Sequence, residues 1–189
     1  MKKKALLFVL AAALLIVASV GGTLAWLSAQ TDTIENTFTV GNVTLDLYEH
    51  TLNSDGKTLT TTQTKDGNEY HLVPGVTYGK DPTLVVKANS EECYLFFKVE
   101  VASTLSGKLS YTLNTTGWTA LTSETGVYYR VVSKSTTDQS FSLLTNNQIS
   151  VASSVEDLAG IGATDALSFT GYAIQKEGMT DAADAWSKI

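Results

Sequence analysis

Short runs in which apolar and polar side chains alternate constrain this chain more than any other feature. Residues 34–40 alternate apolar and polar side chains at a period of two, Gly41 follows, and the alternation resumes at residues 43–47. A period of two places every second side chain on one face of an extended strand, which a helix of 3.6 residues per turn cannot do. A glycine between two such runs favours a bulge or a bend. The pattern therefore predicts two strand halves that are joined at Gly41.

Turn residues divide the next segment into further strands. Asp66 and Gly67 stand between residues 57–64 and 68–72. An Asp-Gly pair between two extended runs predicts a β-hairpin. The Val-Pro-Gly sequence at residues 73–75 predicts the turn that ends the second run.

The most apolar runs are the best candidates for buried strands. Residues 94–102 predict a central strand of a sandwich, packed on one face and partly exposed at Lys98 and Glu100. The remaining candidates are strands at 83–88, 108–113, 127–132, 140–144 and 166–174, and short helices at 155–159 and 181–188, the second capped by Asp181.

About eight short strands at regular spacing predict a single all-β domain over residues 42–189. The expected fold is an antiparallel β-sandwich of jelly-roll type with one or two short peripheral helices. Residues 26–41 precede this domain as an N-terminal strand segment. No internal repeat or second domain is indicated.

The start of the chain predicts export through a cleavable signal peptide, residues 1–25. Three consecutive lysines are followed by residues 5–20, which are apolar apart from one serine. Thr23 and Ala25 then supply the small side chains that a signal peptidase needs at positions −3 and −1. Cleavage is expected between Ala25 and Trp26, with a weaker second site after Ala29.

A retained membrane anchor is the alternative to cleavage. The charge-free run covers residues 5–30, which is long enough to cross a bilayer at about 20 residues. Glycine, threonine, serine and glutamine dilute its second half, which favours cleavage. The membrane is therefore expected as a partner only through the uncleaved signal, and the mature chain is expected to be secreted.

The charge balance bears on the partners of the mature chain. The sequence has 13 basic and 19 acidic residues, and removal of residues 1–25 takes away three lysines. The 164 residues that remain carry a net charge of about −9. An acidic chain without a cluster of Lys or Arg repels phosphate backbones, so nucleic acid is not expected as a partner.

Residues that catalysis would need are sparse. Histidine occurs only at His50 and His71, outside any H-E-x-x-H pattern. With one glutamate they would form a metal site if their strands paired, but surface positions are the simpler interpretation. Cys93, the only cysteine, is expected to be buried, since its neighbours Glu91 and Glu92 disfavour a thiolate. We therefore predict no catalytic, metal or cofactor site.

Two further features have more than one interpretation. The Asn-Ser-Asp-Gly sequence at residues 53–56 resembles a fragment of a calcium loop, but the later ligands and the closing glutamate are missing. A hairpin turn is therefore the better interpretation of those residues. Trp118 is either a core anchor or an exposed contact, and the sequence favours neither.

Three stretches of the chain match features that occur together in one family. They are residues 21–25 with 31–33 and 36–41; residues 73–75 with 80–82, 85–89 and 94–99; and residues 172–175 with 185–186. Together they resemble the TasA/camelysin family of exported bacterial surface and biofilm-matrix proteins. The first stretch is the most specific, because it resembles the signal that a SipW-type signal peptidase reads. The resemblance is weakest over residues 103–165.

The resemblance implies a jelly-roll domain that polymerises head-to-tail with itself into extracellular fibres. In fibre-forming members the mature N-terminal strand is donated to the next subunit, so the implied assembly strand here carries Ile34, Asn36, Phe38 and Val40. Further implied partners are a SipW-type signal peptidase during export and minor fibre-accessory proteins. The implied location is the extracellular matrix or cell surface of a Gram-positive-type bacterium, and no cofactor is implied.

Two other functions stay open at this point. Camelysin-like members of the family are described as metal-dependent proteases, so a secreted or cell-surface metalloprotease is one alternative. The absence of a recognisable zinc motif disfavours it. A monomeric surface adhesion or accessory module is the other alternative.

Overall fold

Short extended segments dominate the computed structural model, which describes residues 42–155, 157–162 and 164–189. The elements are β1 Leu45–Leu52, β2 Leu59–Thr64, β3 Thr77–Gly79, β4 Thr83–Val86, β5 Cys93–Val101, η1 Ser103–Leu105, β6 Leu109–Ser110, β7 Thr119–Ala120, β8 Val127–Val132, β9 Gln139–Ser142, η2 Thr145–Asn147, β10 Gln148–Val151, β11 Leu167–Gln175 and the helix α1 Ala182–Trp186. The predicted all-β class is confirmed.

Two four-stranded antiparallel sheets form a sandwich. The first has the strand order β2-β1-β4-β9, and the second has the order β11-β5-β8-β7. Fully buried side chains such as Leu84, Leu95 and Phe97 fill the space between the sheets. Burial of one such side chain contributes about 1.5–3 kcal/mol. The finer assignment to the jelly-roll type stays a prediction.

A smaller sheet of order β3-β10-β6 adds a second apolar cluster to the domain. Its buried members include Tyr78 from β3 and Ile149 and Val151 from β10. Three strands, β3, β7 and β10, were not predicted from the sequence. The alternation of Ile149 and Val151 with polar neighbours is the signal that marks β10.

The central strand β5 is covered on both faces, where the sequence predicted one packed face. Leu95 and Phe97 point into the sandwich, whereas Phe96 packs on the other side against Trp186 of α1, with ring centroids 5.2 Å apart. Farther along the strand, Lys98 is half-buried and Glu100 is exposed, as expected. The short helix is therefore what covers the second face.

The N-cap that Asp181 was predicted to form is confirmed. Its Oδ1 accepts a hydrogen bond from the Asp184 N–H at 2.8 Å. The bond satisfies one of the N–H groups that have no partner inside a helix. The cap fixes where α1 begins and so places Ala182 and Ala185 against β5.

The hairpin predicted at residues 66–67 is wrong. β2 pairs with β1 instead, and residues 68–72 form no strand. The register of β1 is irregular between His50 and Leu52, and the Asn68 side chain occupies this irregularity. It donates to the His50 carbonyl at 2.8 Å and accepts from the Leu52 N–H at 2.9 Å. Side-chain bonds thus replace the ladder that the sequence pattern predicted.

The turn that joins β1 and β2 lies at the Asn-Ser-Asp-Gly sequence, so its interpretation as a hairpin turn is confirmed. The Asn53 N–H donates to the Thr58 carbonyl at 2.7 Å. Asp55 Oδ1 accepts from the N–H groups of Lys57 and Thr58 at 2.8 and 2.9 Å. These bonds explain the lowered pKa of the Asp55 carboxyl.

Most of the remaining predictions hold to within a few residues. β4, β8, β9 and β11 lie where strands were expected, and the Val76 N–H closes the turn onto the Val73 carbonyl at 3.2 Å. Residues 108–113 contribute only the short β6. The described part of residues 155–159 is not helical, because the Asp157 side chain accepts the Ala159 N–H at 2.6 Å in a local turn.

The predictions for the start of the chain fall outside the described residues. They are the signal peptide at residues 1–25, the strand segment at residues 26–41 and the bend at Gly41. Within the described part, no helix is both long enough and apolar enough to span a bilayer.

Candidate functional site at the open edge of β11

The residues predicted to act in export and assembly all lie outside the described part of the chain. They are the cleavage residues Ala25 and Trp26 and the assembly-strand residues Ile34, Asn36, Phe38 and Val40. The described domain is therefore the place to look for a surface that would receive such a strand.

The longest unpaired edge among the described strands belongs to β11. Among the described residues, this nine-residue strand lies at the end of its sheet and pairs only with β5. Other edge strands, such as the two-residue β7 and the four-residue β9, are much shorter. A long unpaired edge is a template for another strand, and natural proteins usually protect it.

The register of β11 shows which backbone groups face the open side. Ala102 donates its N–H to the Ala166 carbonyl at 2.9 Å, and Lys176 donates its N–H to the Glu92 carbonyl at 2.8 Å. Even-numbered residues of this segment thus bond to the β5 side. Because backbone groups alternate in direction along a strand, the odd-numbered residues present their N–H and C=O groups to the open side. Ala173 lies near the middle of that row.

The two sheets are offset by one strand at this edge. β1, the second strand of its sheet, lies opposite β11, and Leu45 and Leu84 crowd against Gly171. Gly171 permits this approach because it has no Cβ, which would collide with the Leu84 side chain. β2 lies on the far side of β1 from β4, and its Leu59 side chain packs against Gly79 of β3.

Two cavities adjoin the start of β11. The first, of about 350 Å³, is lined by Leu47 and Glu49 of β1, by the turn after β2, and by residues 166–169. The second, of about 500 Å³, continues past Leu167 toward Leu105 and Ile149. Four residues line both cavities: Asn68, Lys80, Ala166 and Leu167. We call this continuous space, with the open side of β11, the edge cleft.

A buried ion pair forms the wall of the edge cleft. Lys80 Nζ donates to Glu49 Oε2 at 3.0 Å, and the two side chains are only 10% and 8% exposed. Lys80 Nζ also lies 5.4 Å from the centre of the Tyr70 ring. Within the described residues, Glu49 Oε1 has no hydrogen-bond partner. A buried carboxylate is costly unless its oxygens are paired, so this half-satisfied group is unusual.

A second polar pair adjoins the first along the chain. Asp81 Oδ2 lies 2.6 Å from His50 Nδ1, and Asp81 Oδ1 accepts the His50 N–H at 2.8 Å. The Tyr70 hydroxyl donates to the Gly79 carbonyl at 2.9 Å. Burial is the main reason why the pKa of the Tyr70 phenol lies well above its ordinary value, and the negative charges of Glu49 and Asp81 raise it further. Tyr70 is therefore a neutral hydrogen-bond donor at physiological pH.

The histidines do not form the metal site that the sequence left open. His50 bonds to Asp81, while the segment at His71 is held by its carbonyl, which accepts from the Tyr78 hydroxyl at 2.7 Å. Among the described residues, no three His, Cys, Asp or Glu side chains converge in a way that would hold a metal ion.

Cys93 and Trp118 both belong to the core. The expectation that Cys93 is buried is confirmed, and burial raises the pKa of its thiol to about 11. Trp118 packs edge-on against Phe97, with ring centroids 4.8 Å apart, and the Arg130 guanidinium lies over its face. Trp118 is therefore a core anchor.

The buried Glu49–Lys80 pair was not predicted from the sequence, although one signal for it exists. Glu49 follows Leu45 and Leu47 at a spacing of two, so it occupies an inward-facing position of an alternating strand. A carboxylate in apolar register indicates a buried partner. Comparison with known families, with curated proteins and with solved structures gives no match to this chain.

Proposed function

We propose that this chain is an exported structural subunit of extracellular, biofilm-matrix fibres. Each copy assembles head-to-tail by donating its N-terminal strand, within residues 26–41, to the edge cleft of the next copy. The observation that carries this proposal is the nine-residue β11, whose outer edge pairs with no other strand among the described residues and whose start lines the edge cleft. We also propose that the sandwich is of jelly-roll type, for which its two four-stranded sheets are the support.

A donated strand would pair with the free backbone groups of β11 and would bury its own apolar side chains in the edge cleft. Its backbone would pair with the odd-numbered N–H and C=O groups of β11, at about 0.5–1.5 kcal/mol for each hydrogen bond. Its apolar side chains Ile34, Phe38 and Val40 would leave water, at about 1.5–3 kcal/mol each before entropy costs. Because donor and acceptor are different surfaces of one chain, the contact repeats without closing and generates a filament.

Export fits the same scheme. While residues 1–25 are attached, the donor strand has no free end. Cleavage between Ala25 and Trp26 by a SipW-type signal peptidase would create that end at the outer face of the membrane. Secretion and competence to assemble would then follow from one proteolytic step.

Electron microscopy of the mature chain with its native N-terminus tests the proposal. We expect fibres from residues 26–189 and only monomers from a chain that starts at Gly41. Fibres from the shorter chain would refute strand donation.

A matched pair of substitutions tests the acceptor edge itself. Ala173→Pro removes one N–H from the open side of β11 and leaves the bonds to β5 intact, since proline is tolerated at an edge. Ala173→Val enlarges the same side chain but keeps the N–H. We expect the proline variant to assemble much less than the valine variant at equal thermal stability. Equal assembly of the two variants would place the acceptor elsewhere.

A further inference from the structure

Arg130, the only arginine of the chain, occupies an inward-facing position of β8. It stands opposite Leu95 of β5, and Leu95, Tyr128 and Val132 all pack in the core between the two sheets. A cation in this register has to extend along the core until its charged end reaches water or a partner. The Arg130 side chain extends toward β9, the last strand of the first sheet.

Two aromatic rings and a glycine position the guanidinium of Arg130. Its Cζ lies 4.3 Å from the centre of the Phe141 ring and 5.3 Å from the centre of the Trp118 ring. An added Cβ at Gly117 would lie only 3.2 Å from Nη2, so the missing side chain leaves room for the guanidinium. A guanidinium stacks favourably on aromatic faces. These contacts fix the place of the charge without using its N–H donors in hydrogen bonds.

The N–H groups of Arg130 have no acceptor among the described residues. Nε is buried and without a partner, whereas the two Nη atoms, which are also unpaired with described residues, reach the surface. Burial lowers the pKa of the guanidinium, and no charged neighbour contributes to that pKa. Arginine remains a cation in proteins. The surface therefore presents a fixed positive charge with unused donors.

Most described lysines, in contrast, already have a carboxylate partner. They are Lys65, Lys80, Lys87, Lys98, Lys134, Lys176 and Lys188. Carboxylates are in excess in this chain, yet none of the described ones pairs with its single arginine. The planar guanidinium fork matches the two oxygens of a carboxylate. A guanidinium that is held in place but unpaired is thus suited to bind a carboxylate from outside the domain.

We propose that Arg130, held by Phe141, Trp118 and Gly117, is a binding site for a carboxylate group. The two oxygens accept hydrogen bonds from Nη1 and Nη2 at the surface, while the buried Nε is not contacted. The mature net charge of about −9 repels multiply charged anions, which favours a single carboxylate over a phosphate polymer. Because β5 separates β8 from β11, the site is distinct from the edge cleft and does not depend on strand donation.

Nuclear magnetic resonance of the isotope-labelled mature chain tests this site directly. A single arginine gives one Nε–H signal, and burial of Nε slows the exchange of its proton with water. Acetate that replaces chloride at constant ionic strength should shift this signal saturably, with half-saturation at about 5–100 mM. A shift that does not saturate, or one that chloride reproduces, would overturn the proposal.

Thermal unfolding of variants tests the role of the fork. Relative to chloride, acetate at about ten times half-saturation should raise the folding equilibrium constant of the original chain about tenfold. Lys134→Met, which removes an exposed cation paired with Glu91 just beyond β8, is the matched control and should keep this gain. Arg130→Met should gain less than about twofold, and Arg130→Lys, which keeps the charge but loses the fork, less than about half of the original gain. A full gain in either Arg130 variant would contradict the proposed site.

Sedimentation of the mature chain, at concentrations below fibre formation, distinguishes two sources of the carboxylate. Self-association that is reduced both by acetate and by Arg130→Met would identify a side chain of a second copy as the ligand. Monomers that still bind acetate would identify a carboxylate of a different molecule.

Discussion

Loss of Lys80 is expected to destabilise the domain strongly. Among the described residues, Lys80 supplies the only hydrogen bond to the Glu49 carboxylate and the other oxygen has no partner, and Lys80→Met removes that bond. The side chains of Lys80 and Glu49 are 10% and 8% exposed, so both are largely shielded from bulk water. The substitution therefore leaves an uncompensated charge in the wall of the edge cleft.

The expected magnitude follows from this burial. Removing one partner of a buried ion pair costs about 3–5 kcal/mol, a large part of the roughly 5–15 kcal/mol that stabilises a typical domain. Replacing both partners by apolar residues, as in Glu49→Leu with Lys80→Met, is expected to restore most of the loss. Leucine suits the inward register that Glu49 shares with Leu45 and Leu47.

Urea unfolding of a chain that starts at Gly41, followed by tryptophan fluorescence, measures these differences. At about 1–3 kcal/mol per molar urea, Lys80→Met should lower the midpoint by about 1–5 M. Lys65→Met is the matched control. It breaks a bond of 2.6 Å to Asp46 on the surface, where the side chains are 66% and 35% exposed, and should cost less than about 1 kcal/mol.

Two results would refute this account of the pair. One is a Lys80→Met variant that unfolds within about 1 kcal/mol of the original chain. The other is a double variant as unstable as the single one, since that would show that packing rather than charge is responsible.

Three further predictions concern single positions. Gly126→Ala should destabilise the domain by at least about 2 kcal/mol, because its φ is 76° and an added Cβ would lie 2.6 Å from the Val99 carbonyl oxygen. Gly107 has a similar φ of 74°, but an added Cβ there would meet no neighbouring atom, so Gly107→Ala should cost only about 1–2 kcal/mol in unfolding assays. Asp181→Ala should cost about 0.5–2 kcal/mol in thermal unfolding and Asp181→Asn much less, since asparagine also caps helices. Burial raises the pKa of the Cys93 thiol from 9.0 to about 11, so its contribution to stability should be complete below about pH 9 and be lost as pH rises through 11. The Cys93→Ala variant should lose less stability over this pH range. A steeper loss of stability in that variant would contradict the assignment.

Local sequence patterns predicted the strands and the helix cap that are specified by residues close together in the chain. The apolar run of β5, the extended pattern of β11 and the cap at Asp181 depend on side chains a few residues apart. Period and capping are short-range properties, so one sequence is enough to recognise them.

The incorrect prediction of a hairpin at residues 66–67 shows that local patterns do not predict which strands pair. An Asp-Gly pair is sufficient for a turn, but β2 pairs with β1, and the Asn68 side chain bonds to the irregularity in β1 eighteen residues away. The Glu49–Lys80 pair likewise joins residues 31 apart along the chain. Such partners are chosen by the fold, because the cost of a buried polar group is settled only when its neighbours are known.

The sequence alone determined the all-β class, the predicted export signal and the alternating strand with Asn36 among apolar residues. The tertiary structure decided that β11 ends its sheet among the described strands and that Glu49 lines the cavity beside it. Side-chain alternation is a property of the local sequence, whereas strand order arises from packing between distant segments. The proposed donor strand is thus predicted from sequence, whereas the proposed acceptor edge is formed only by folding.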